Sequence, residues 1–189
     1  FTAISNKQVI ALKYHTFKNP EIKEVVVYPY LLKEYNKRWF LIVGVEDGTL
    51  LNFALDRIDG FKPMPHIDYI EPGEELENRF DDIVGVTLKK ELSVENILIW
   101  ADDNCTPYIK TKPLHGSQRN VRGDEEKMLR EKFPILQGGC FFRMKCILNH
   151  EIEQLIMSYM DQAVVLEPSV LSDSLRERIK KLNMLYSNI

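Results

Sequence analysis

The stretch that most constrains the fold is residues 28–58, which reads YPYLLKEYNKRWFLIVGVEDGTLLNFALDRI. Runs rich in β-branched and aromatic residues alternate there with short polar breaks, which predicts three strands joined by two tight turns. The first turn is expected at residues 35–37. The second is expected at Asp47-Gly48, a pair favoured in type I′ hairpin turns, whose two central residues both need positive φ. Consecutive hairpins around the apolar middle strand, residues 38–45, predict a meander that curls into a small sheet or barrel.

Two arginines stand out in this meander. Arg38 opens the middle strand, and Arg57 lies near the end of the third strand, which is predicted over residues 49–58. Guanidinium groups beside tyrosine rings suit an anionic, planar ligand, because they supply charge, a bidentate fork and stacking faces. The alternative is that each arginine pairs with a nearby acid such as Asp56 or Glu34, since most surface charges form no specific site.

The segments before the meander complete one domain. Residues 1–8 predict the end of a helix, and residues 9–17 and 22–33 predict two further strands by their alternation. Strands of this number and length fit a small β-barrel with a leading helix. Pro63 and Pro65 resist both helix and central strand, so the first domain is expected to span residues 1–63.

Residues 64–92 are predicted to form a linker segment. Within it, Pro72-Gly73 followed by Glu74 and Glu75 predicts the start of a helix, because acidic side chains favour the first helical turn.

The second domain is expected to span residues 93–189, where strands and helices alternate. This order predicts a small α+β sandwich of ferredoxin-like type. Residues 124–133 are highly charged and are expected to form an exposed excursion. The last helix is expected to bury a stripe of apolar residues. The predicted elements are strands at 94–100, 140–148 and 163–166, and helices at 101–112 (capped by Asp103 or Asn104), 150–160 (capped by Asn149) and 169–186 (stripe Val170, Leu171, Leu175, Ile179, Leu182 and Leu185).

Composition narrows the function classes. The 189 residues carry a net charge of −3, which is not typical of a bulk nucleic-acid binder, although residues 1–63 alone carry +2. No apolar run approaches the roughly 20 residues that cross a bilayer, and no signal peptide is visible. Three cysteines without CxxC spacing favour a reducing cytoplasm over a disulfide framework or zinc site. The chain begins with Phe1 rather than Met, so we expect an N-terminal portion to have been removed.

Catalytic, metal and cofactor motifs are absent from the sequence. The four histidines are scattered, and no phosphate-binding glycine loop or nucleophile elbow is present. His115 and Ser117 could form a nucleophilic pair, but no third member is placed, so a hydrogen-bonded loop that fixes the packing is the favoured interpretation. Trp39 is expected to pack in the barrel core, because large aromatic residues on a middle strand usually do.

At several motifs the chain resembles a known family. Arg38-Trp39-Phe40-Leu41, with Tyr28-Pro29-Tyr30 before it and Leu55-Asp56-Arg57-Ile58 after it, resembles the WYL domain of bacterial transcriptional regulators. Here Phe40 replaces the tyrosine of the family's Trp-Tyr-Leu triplet. Three later segments resemble the C-terminal WCX extension that follows many WYL domains. They are residues 80–86, 114–118 and 165–168.

This resemblance implies a fold, a function and a set of site residues. It implies an Sm-like or SH3-like barrel that senses a nucleotide or single-stranded nucleic acid, with Tyr14, Tyr30, Arg38 and Arg57 as ligand contacts. It implies a homodimer that is not an enzyme and that reaches operator DNA only through an N-terminal helix-turn-helix missing from this sequence. A purely structural dimerisation module without a ligand is the alternative, and a hydrolase is a distant third.

Overall fold

The computed structural model describes residues 1–17, 19–73, 76, 78, 80–87 and 93–189. Contacts within the chain divide it into two compact units. The first comprises the described residues of Phe1–Phe80 and Gly85–Lys90, and the second those of Asp81–Val84 and Glu91–Ile189. Each unit is built on one antiparallel sheet accompanied by helices, so the chain is of mixed α+β class. The helix start predicted at Glu74 and Glu75 lies outside the described residues.

The first unit is a five-stranded antiparallel sheet preceded by one helical turn. Its strand order is β4-β3-β2-β1-β5, so the last two strands lie at opposite edges of the sheet. The elements are α1 (Thr2–Ser5), β1 (Ile10–Tyr14), β2 (Lys23–Tyr35), β3 (Arg38–Gly44), β4 (Leu50–Ala54), a 3-10 turn (Leu55–Arg57) and β5 (Ile58–Pro63).

The sheet of the first unit is strongly curled. Five strands laid flat would separate the two edge strands by about 19 Å, given the usual spacing of about 4.8 Å between neighbours. The 3-10 turn Leu55–Arg57 is the whole connection between β4 and β5. Such a turn advances about 2 Å per residue, so it bridges less than about 10 Å. The two edges therefore approach each other at this turn.

The two predicted hairpins are present, but one turn differs in type. Asn36 and Lys37 have φ values of 49° and 63°, as a type I′ turn requires. At the second hairpin only Gly48 has positive φ, 76°, and its N–H donates to the carbonyl of Val45 at 2.8 Å. The type I′ turn predicted at Asp47-Gly48 is therefore wrong. The chain forms a longer hairpin loop in which Asp47 accepts a hydrogen bond from the Thr49 N–H at 2.7 Å.

The third predicted strand also ends earlier than expected. Strand β4 stops at Ala54, so Arg57 lies in the 3-10 turn rather than on a strand running to Ile58. The reason is topological. Strand β4 pairs with β3, but the next segment of the chain must cross to the other edge of the sheet, where it pairs with β1. The extra strand β5 that results was not predicted from the sequence.

The core of the first unit lies inside the curled sheet. Trp39 shares the core-facing side of β3 with Leu41 and Val43, since alternate residues of a strand face the same side. It nevertheless remains 48% exposed, contrary to its predicted burial. It pairs with Glu34 beside the turn of the β2–β3 hairpin, one residue pair from Asn36-Lys37 and beyond the core. The buried core cluster consists of Ile10, Leu12, Tyr14, Val27, Leu41, Val43 and Phe53.

The second unit is a four-stranded antiparallel sheet with the order β7-β8-β6-β9. Strands β6 and β8 are central and pair along their whole lengths, from Val94 with Ile147 to Ala101 with Cys140. The elements are β6 (Val94–Ala101), α2 (Thr106–Thr111), β7 (Arg119–Asn120), α3 (Asp124–Lys132), β8 (Cys140–Ile147), α4 (His150–Met157), a 3-10 turn (Met160–Gln162), β9 (Ala163–Glu167) and α5 (Ser169–Tyr186).

One local prediction in the second unit is confirmed in part and another is wrong. The charged excursion is largely exposed as expected, but it forms helix α3, whose Leu129 is buried in a cluster with Phe141. Acids in its first turn and bases in its last turn complement the helix dipole, so its charge pattern favours a helix. Helix α2 begins at Thr106 rather than near Ala101. The side chain that accepts a backbone hydrogen bond at this end is Asp102, not the predicted Asp103 or Asn104, and its donor is the Cys105 N–H at 2.7 Å.

In the last two helices, the predicted N-terminal cap of α4 is confirmed, and the predicted apolar stripe of α5 is only partly buried. Asn149 caps α4 as predicted and accepts a hydrogen bond from the Ile152 N–H at 3.0 Å. Helix α5 has the predicted bounds, but only Leu171 and Leu175 of its predicted stripe are buried. The other four stripe residues are 45–63% exposed, because nothing in the second unit covers them among the described residues: Val170, Ile179, Leu182 and Leu185.

Candidate functional site

The candidate site is built around Tyr14, the last residue of β1. Its ring is buried and meets the edge of Phe53, with ring centroids 4.7 Å apart and an interplanar angle of 75°. It thus forms the end of the first unit's core. Burial raises the pKa of the Tyr14 hydroxyl, and the neighbouring Arg57 partly offsets this. The hydroxyl is therefore protonated at neutral pH.

Arg57 projects from the 3-10 turn onto aromatic rings. Its guanidinium carbon lies 5.2 Å from the ring centroid of Tyr14 and 4.9 Å from that of Phe17. Its Nε atom is buried and has no hydrogen-bond partner among the described residues. No described carboxylate lies within ion-pair distance of it either. Arg57 is thus positioned by cation–π contacts, and its charge is not neutralised by a described acid.

Arg38 has a different environment. Its Nη2 atom lies 3.3 Å from Oδ2 of Asp56, and the two side chains are 44% and 49% exposed. An ion pair this exposed is worth little, about 0–1 kcal/mol, so an external anion can compete with Asp56 for the guanidinium. Arg38 thus makes the ion pair with Asp56 that the sequence offered as the alternative, and its role as a ligand contact stays a prediction.

The two arginines lie on the same side of the first unit. Both lower the pKa of the Tyr14 hydroxyl, whereas Asp56 raises it, so all three charges are near one phenol. Asp56 and Arg57 are consecutive residues of the 3-10 turn. The structure therefore brings together Tyr14, Arg38 and Arg57, three of the four predicted ligand contacts.

Tyr30 lies elsewhere in the first unit. It occupies a bulge in β2, and its ring packs against Tyr69 at 6.1 Å and directly over Gly44. A Cβ atom at Gly44 would lie 2.3 Å from the Tyr30 hydroxyl, so this glycine is needed for the packing. Gly44 and Arg38 are at opposite ends of β3, about 20 Å apart at the usual strand rise. The structure does not bring Tyr30 to the arginines, and its role as a ligand contact stays a prediction.

Sequence reasoning missed two features beside Arg57. Phe17 is 73% exposed although its ring contacts the guanidinium. The backbone N–H of His15 donates to the Arg57 carbonyl at 3.3 Å, and the ring Nδ1 of His15 lies 2.8 Å from Oδ2 of Asp59. The spacing of Tyr14 and Phe17 gave no signal, because Phe17 follows the strand and its position depends on the distant turn at Arg57.

The loop containing His115 and Ser117 in the second unit is hydrogen-bonded as predicted. The Ser117 hydroxyl donates to the Lys145 carbonyl at 2.9 Å and accepts from the Lys145 N–H at 2.8 Å. Both backbone groups of Lys145 thus engage the hydroxyl, which fixes the loop to strand β8. The same hydroxyl also lies 2.8 Å from Nδ1 of His115, its partner in the nucleophilic pair that the sequence allowed. Gln118 adds bonds to Leu114 and Ile109. This arrangement is that of a structural loop.

Two further kinds of functional feature are absent from the described residues. The described part of the chain contains no group of three His, Cys, Asp or Glu side chains able to hold a metal ion. Within the same residues, no helix combines the length and the apolar character that crossing a membrane requires.

Two family models match the chain. The WYL domain matches residues 1–63, and the WCX domain matches residues 96–182. The chain therefore carries a WYL domain followed by a WCX domain. This confirms the resemblance drawn from the motifs. Both domains are regulatory rather than catalytic families. No curated protein matches the chain.

Solved structures give a likeness of fold. Proteasome accessory factor B/C (PafBC) of Arthrobacter aurescens is 14% identical, with a TM-score of 0.34, over 95% of this chain and 25% of that one. A CRISPR Cas-related protein is 10% identical, with a TM-score of 0.55, over 99% of this chain and 49% of that one. The chain thus spans a quarter and about half of these two proteins. Only the second TM-score exceeds 0.5, so only that similarity informs the fold, and at 10% identity it informs nothing more.

Proposed function

We propose that this chain is the ligand-sensing region of a bacterial transcriptional regulator, and that its first unit binds an anionic nucleotide or single-stranded nucleic acid. The observation that carries the proposal is Arg57, a guanidinium held between aromatic rings with no described acid beside it. The buried Tyr14 positions it, and Arg38 supplies a second cation nearby. Two cations beside aromatic faces are what a phosphate-bearing, ring-bearing ligand requires.

The ligand would replace weak internal contacts rather than strong ones. Arg57 would gain charge-assisted hydrogen bonds without losing an acid, and Arg38 would exchange Asp56 for a phosphate oxygen. The 3-10 turn that carries Asp56 and Arg57 also joins the two edges of the sheet. Binding would therefore act directly on the closure of the curled sheet, which offers a route from ligand to the rest of the regulator.

The finer fold assignment is part of the same proposal. The curled five-stranded sheet, with its edges joined by a three-residue turn, supports an Sm-like or SH3-like barrel. In the second unit, the order β6-α2-β7-β8-α4-β9 follows the βαββαβ pattern, with α3 inserted between β7 and β8. The central position of β6 and β8 supports a ferredoxin-like sandwich. Domain limits at residues 63 and 93 and access to operator DNA through a further N-terminal domain belong to this proposal too.

The test of ligand binding is fluorescence anisotropy with labelled single-stranded oligonucleotides over a range of salt concentrations. Arg57→Met is expected to weaken binding about 10- to 100-fold, since charge-assisted hydrogen bonds are worth about 1.5–3 kcal/mol. Arg38→Met is expected to have a smaller effect, because Asp56 already occupies part of its fork. Both variants should flatten the salt dependence.

Lys13→Met is the matched control for loss of one positive charge. Lys13 is exposed on β1 next to Tyr14, but alternation puts it on the opposite face of the strand. Its loss should leave affinity nearly unchanged. Equal weakening by Lys13→Met and Arg57→Met would show that only net charge matters and would remove the site.

A second candidate function, homodimerisation through the second unit, is favoured by helix α5. At about 100° per residue, the exposed Ile179, Leu182 and Leu185 fall within the same stripe, about 120° wide, as the buried Leu171 and Leu175. The C-terminal half of the helix thus presents a continuous apolar face. A second copy would supply a matching face, because a two-fold axis packs the same patch on itself.

The charges beside this stripe permit such self-association. Arg176 pairs with Asp173, Lys180 with Glu177 and Arg178 with Glu153 of helix α4. Most charges of the helix are thus neutralised within the chain, which reduces repulsion between two copies.

Leu182→Glu is expected to raise the dimer dissociation constant at least about 30-fold, as for a central interface residue. Met184→Glu is the control, because Met184 is 65% exposed on the opposite side of the same helix. Analytical ultracentrifugation measures both. A dimer that survives Leu182→Glu would exclude this surface, and a monomeric wild type at micromolar concentration would exclude the dimer.

A further inference from the structure

Phe17 is an exposed aromatic ring beside the one arginine of the candidate site that lacks a described acid. Its side chain is 73% exposed, and its ring centroid lies 4.9 Å from the Arg57 guanidinium carbon. Thr16 and Asn19, which lie on either side of it in the chain, are hydrogen-bonded to each other. The Thr16 N–H donates to the Asn19 carbonyl at 3.1 Å, and the Asn19 N–H donates to Thr16 Oγ1 at 3.0 Å.

Tyr14 and Phe17 contact the same guanidinium but differ in accessibility. Tyr14 is 8% exposed and is occupied by Phe53 and the core, so it holds Arg57 in place and has little face left for a ligand. Phe17 keeps most of its surface in water. An exposed ring next to a cation that is not neutralised is the combination with which proteins bind a base and its phosphate together.

Other exposed phenylalanines of the first unit lack this combination. Phe61 on β5 is 63% exposed and Phe1 is 88% exposed, and neither contacts a guanidinium among the described residues. Isolated exposed apolar residues are common and need no functional explanation. The contact with Arg57 is what distinguishes Phe17 from them.

We propose that Phe17 stacks on a nucleobase of the ligand while Arg57 binds the adjacent phosphate. This inference rests on the proposed anion site and deepens it, because it assigns the contact with the base of the ligand to one residue, Phe17, and the contact with the phosphate to another, Arg57. Phe17 is then the residue that sets specificity, and Arg57 is the residue that supplies general affinity for phosphate. A phenylalanine has no hydrogen-bonding group, so stacking selects for a base without selecting which base.

The test compares two fluorescent oligonucleotides of equal length and charge, oligothymidine and a strand made only of abasic residues. Anisotropy with the full 189-residue chain is expected to show oligothymidine binding about 5- to 100-fold more tightly, the range for one stacked base. Phe17→Ala should abolish the preference for oligothymidine, while the affinity for the abasic strand falls much less, because Tyr14 still holds Arg57 in place. Phe17→Tyr should retain the preference, because a phenol stacks as well.

Two further variants complete the design. Phe61→Ala removes an exposed ring of the same unit and should leave both affinities unchanged. Arg57→Met should weaken both strands by a similar factor, because the phosphate is common to them. Thermal unfolding of every variant checks that the fold is kept. This is expected for the variants of Phe17 and Phe61, whose side chains are 73% and 63% exposed.

The outcomes separate this inference from the proposed function. If the wild type binds both strands equally, or if Phe17→Ala weakens both to the same extent, the stacking role is overturned while the anion site stands. If the wild type binds neither strand, the proposed function fails, and the stacking role fails with it.

Discussion

Arg57 in the first unit and Arg143 in the second are both partly buried arginines, but their guanidinium groups have opposite surroundings. Arg143 on β8 donates to Glu125 on α3 and, at 3.0 Å, to Glu167 on β9. Arg57 has two aromatic rings beside it and no acid among the described residues. The first arrangement ties three elements together. The second leaves N–H donors available to an external anion, at the cost of a buried Nε that has no hydrogen-bond partner among the residues that the structure describes.

The comparison shows why an arginine alone is not a site. Arg130 makes the same point, because its guanidinium donates to the carbonyls of Leu136, Gly138 and Gly139 and also to Glu126. Every acceptor that surrounds it belongs to its own unit. A guanidinium is most available to a ligand when the fold leaves its donors without strong internal acceptors, and among Arg57, Arg130 and Arg143 that description fits Arg57.

The largest expected effect comes from making the same substitution at both positions. Arg143→Met should lower the free energy of unfolding by about 1–3 kcal/mol, because Glu125 and Glu167 lose their shared donor. Arg57→Met should cost less than about 1 kcal/mol, since only cation–π contacts are lost. Urea unfolding of both variants measures the difference. A larger loss of unfolding free energy in Arg57→Met than in Arg143→Met would contradict the comparison, because it would show that Arg57 contributes more to the fold than Arg143 does.

A second prediction concerns the pH dependence of the Arg143 network. The hydrogen bond from Arg143 lowers the pKa of Glu125 below its ordinary value of 4.5, and Arg119 contributes in the same direction. A lowered pKa in the folded state gives stability that is present above the unfolded value and lost as the pH falls through the folded value. The stability difference between wild type and Arg143→Met should therefore narrow below about pH 4.5.

Arg57→Met provides the internal control for this pH series, because Arg57 has no described acid partner. Its stability difference from wild type should stay constant between pH 7 and pH 4. Urea midpoints at successive pH values test both curves. If the stability difference between wild type and Arg143→Met widened on acidification, the ionised carboxylates of Glu125 and Glu167 would be shown to destabilise the folded state.

The smallest expected effect comes from making Arg38 resemble Arg57. Asp56→Asn removes the charged partner of Arg38 and keeps the side-chain shape. Binding of a single-stranded oligonucleotide should tighten two- to fivefold, matching an exposed ion pair worth less than about 1 kcal/mol. Asp59→Asn, a nearby loss of one negative charge at the His15 pair, is the control and should have less effect. Weaker binding in Asp56→Asn would mean that Asp56 orients Arg38 rather than competing for it.

Much of the first unit could be predicted from the sequence, because its signals are local. Alternating β-branched and aromatic residues predicted the first strands, and polar breaks predicted both hairpins. The end of β4 could not be predicted, because it depends on which distant edge the chain must reach. The type of the second turn was wrong for a related reason, since the Asp47-Gly48 pair fits more than one hairpin loop.

The candidate site was predicted in part. The motifs that carry the family resemblance drew attention to Arg38 and Arg57, and the fold brings both near Tyr14. Tyr30 was grouped with them because it lies in the same meander, but a bulge turns its ring onto Gly44. Phe17 was missed because it follows its strand without any motif.

By itself, the sequence determined where the strands and most helices form, where Asn149 caps a helix, and which two domains the chain carries. These properties depend on neighbours within a few residues, whose φ preferences and side-chain periodicity act locally. The tertiary structure alone decided that Arg57 lies against Tyr14 and Phe17, that Trp39 is exposed, and that four of the six residues of the α5 stripe are uncovered. Burial and charge neutralisation depend on segments that are distant in the chain and meet only when the sheet curls and the helices pack.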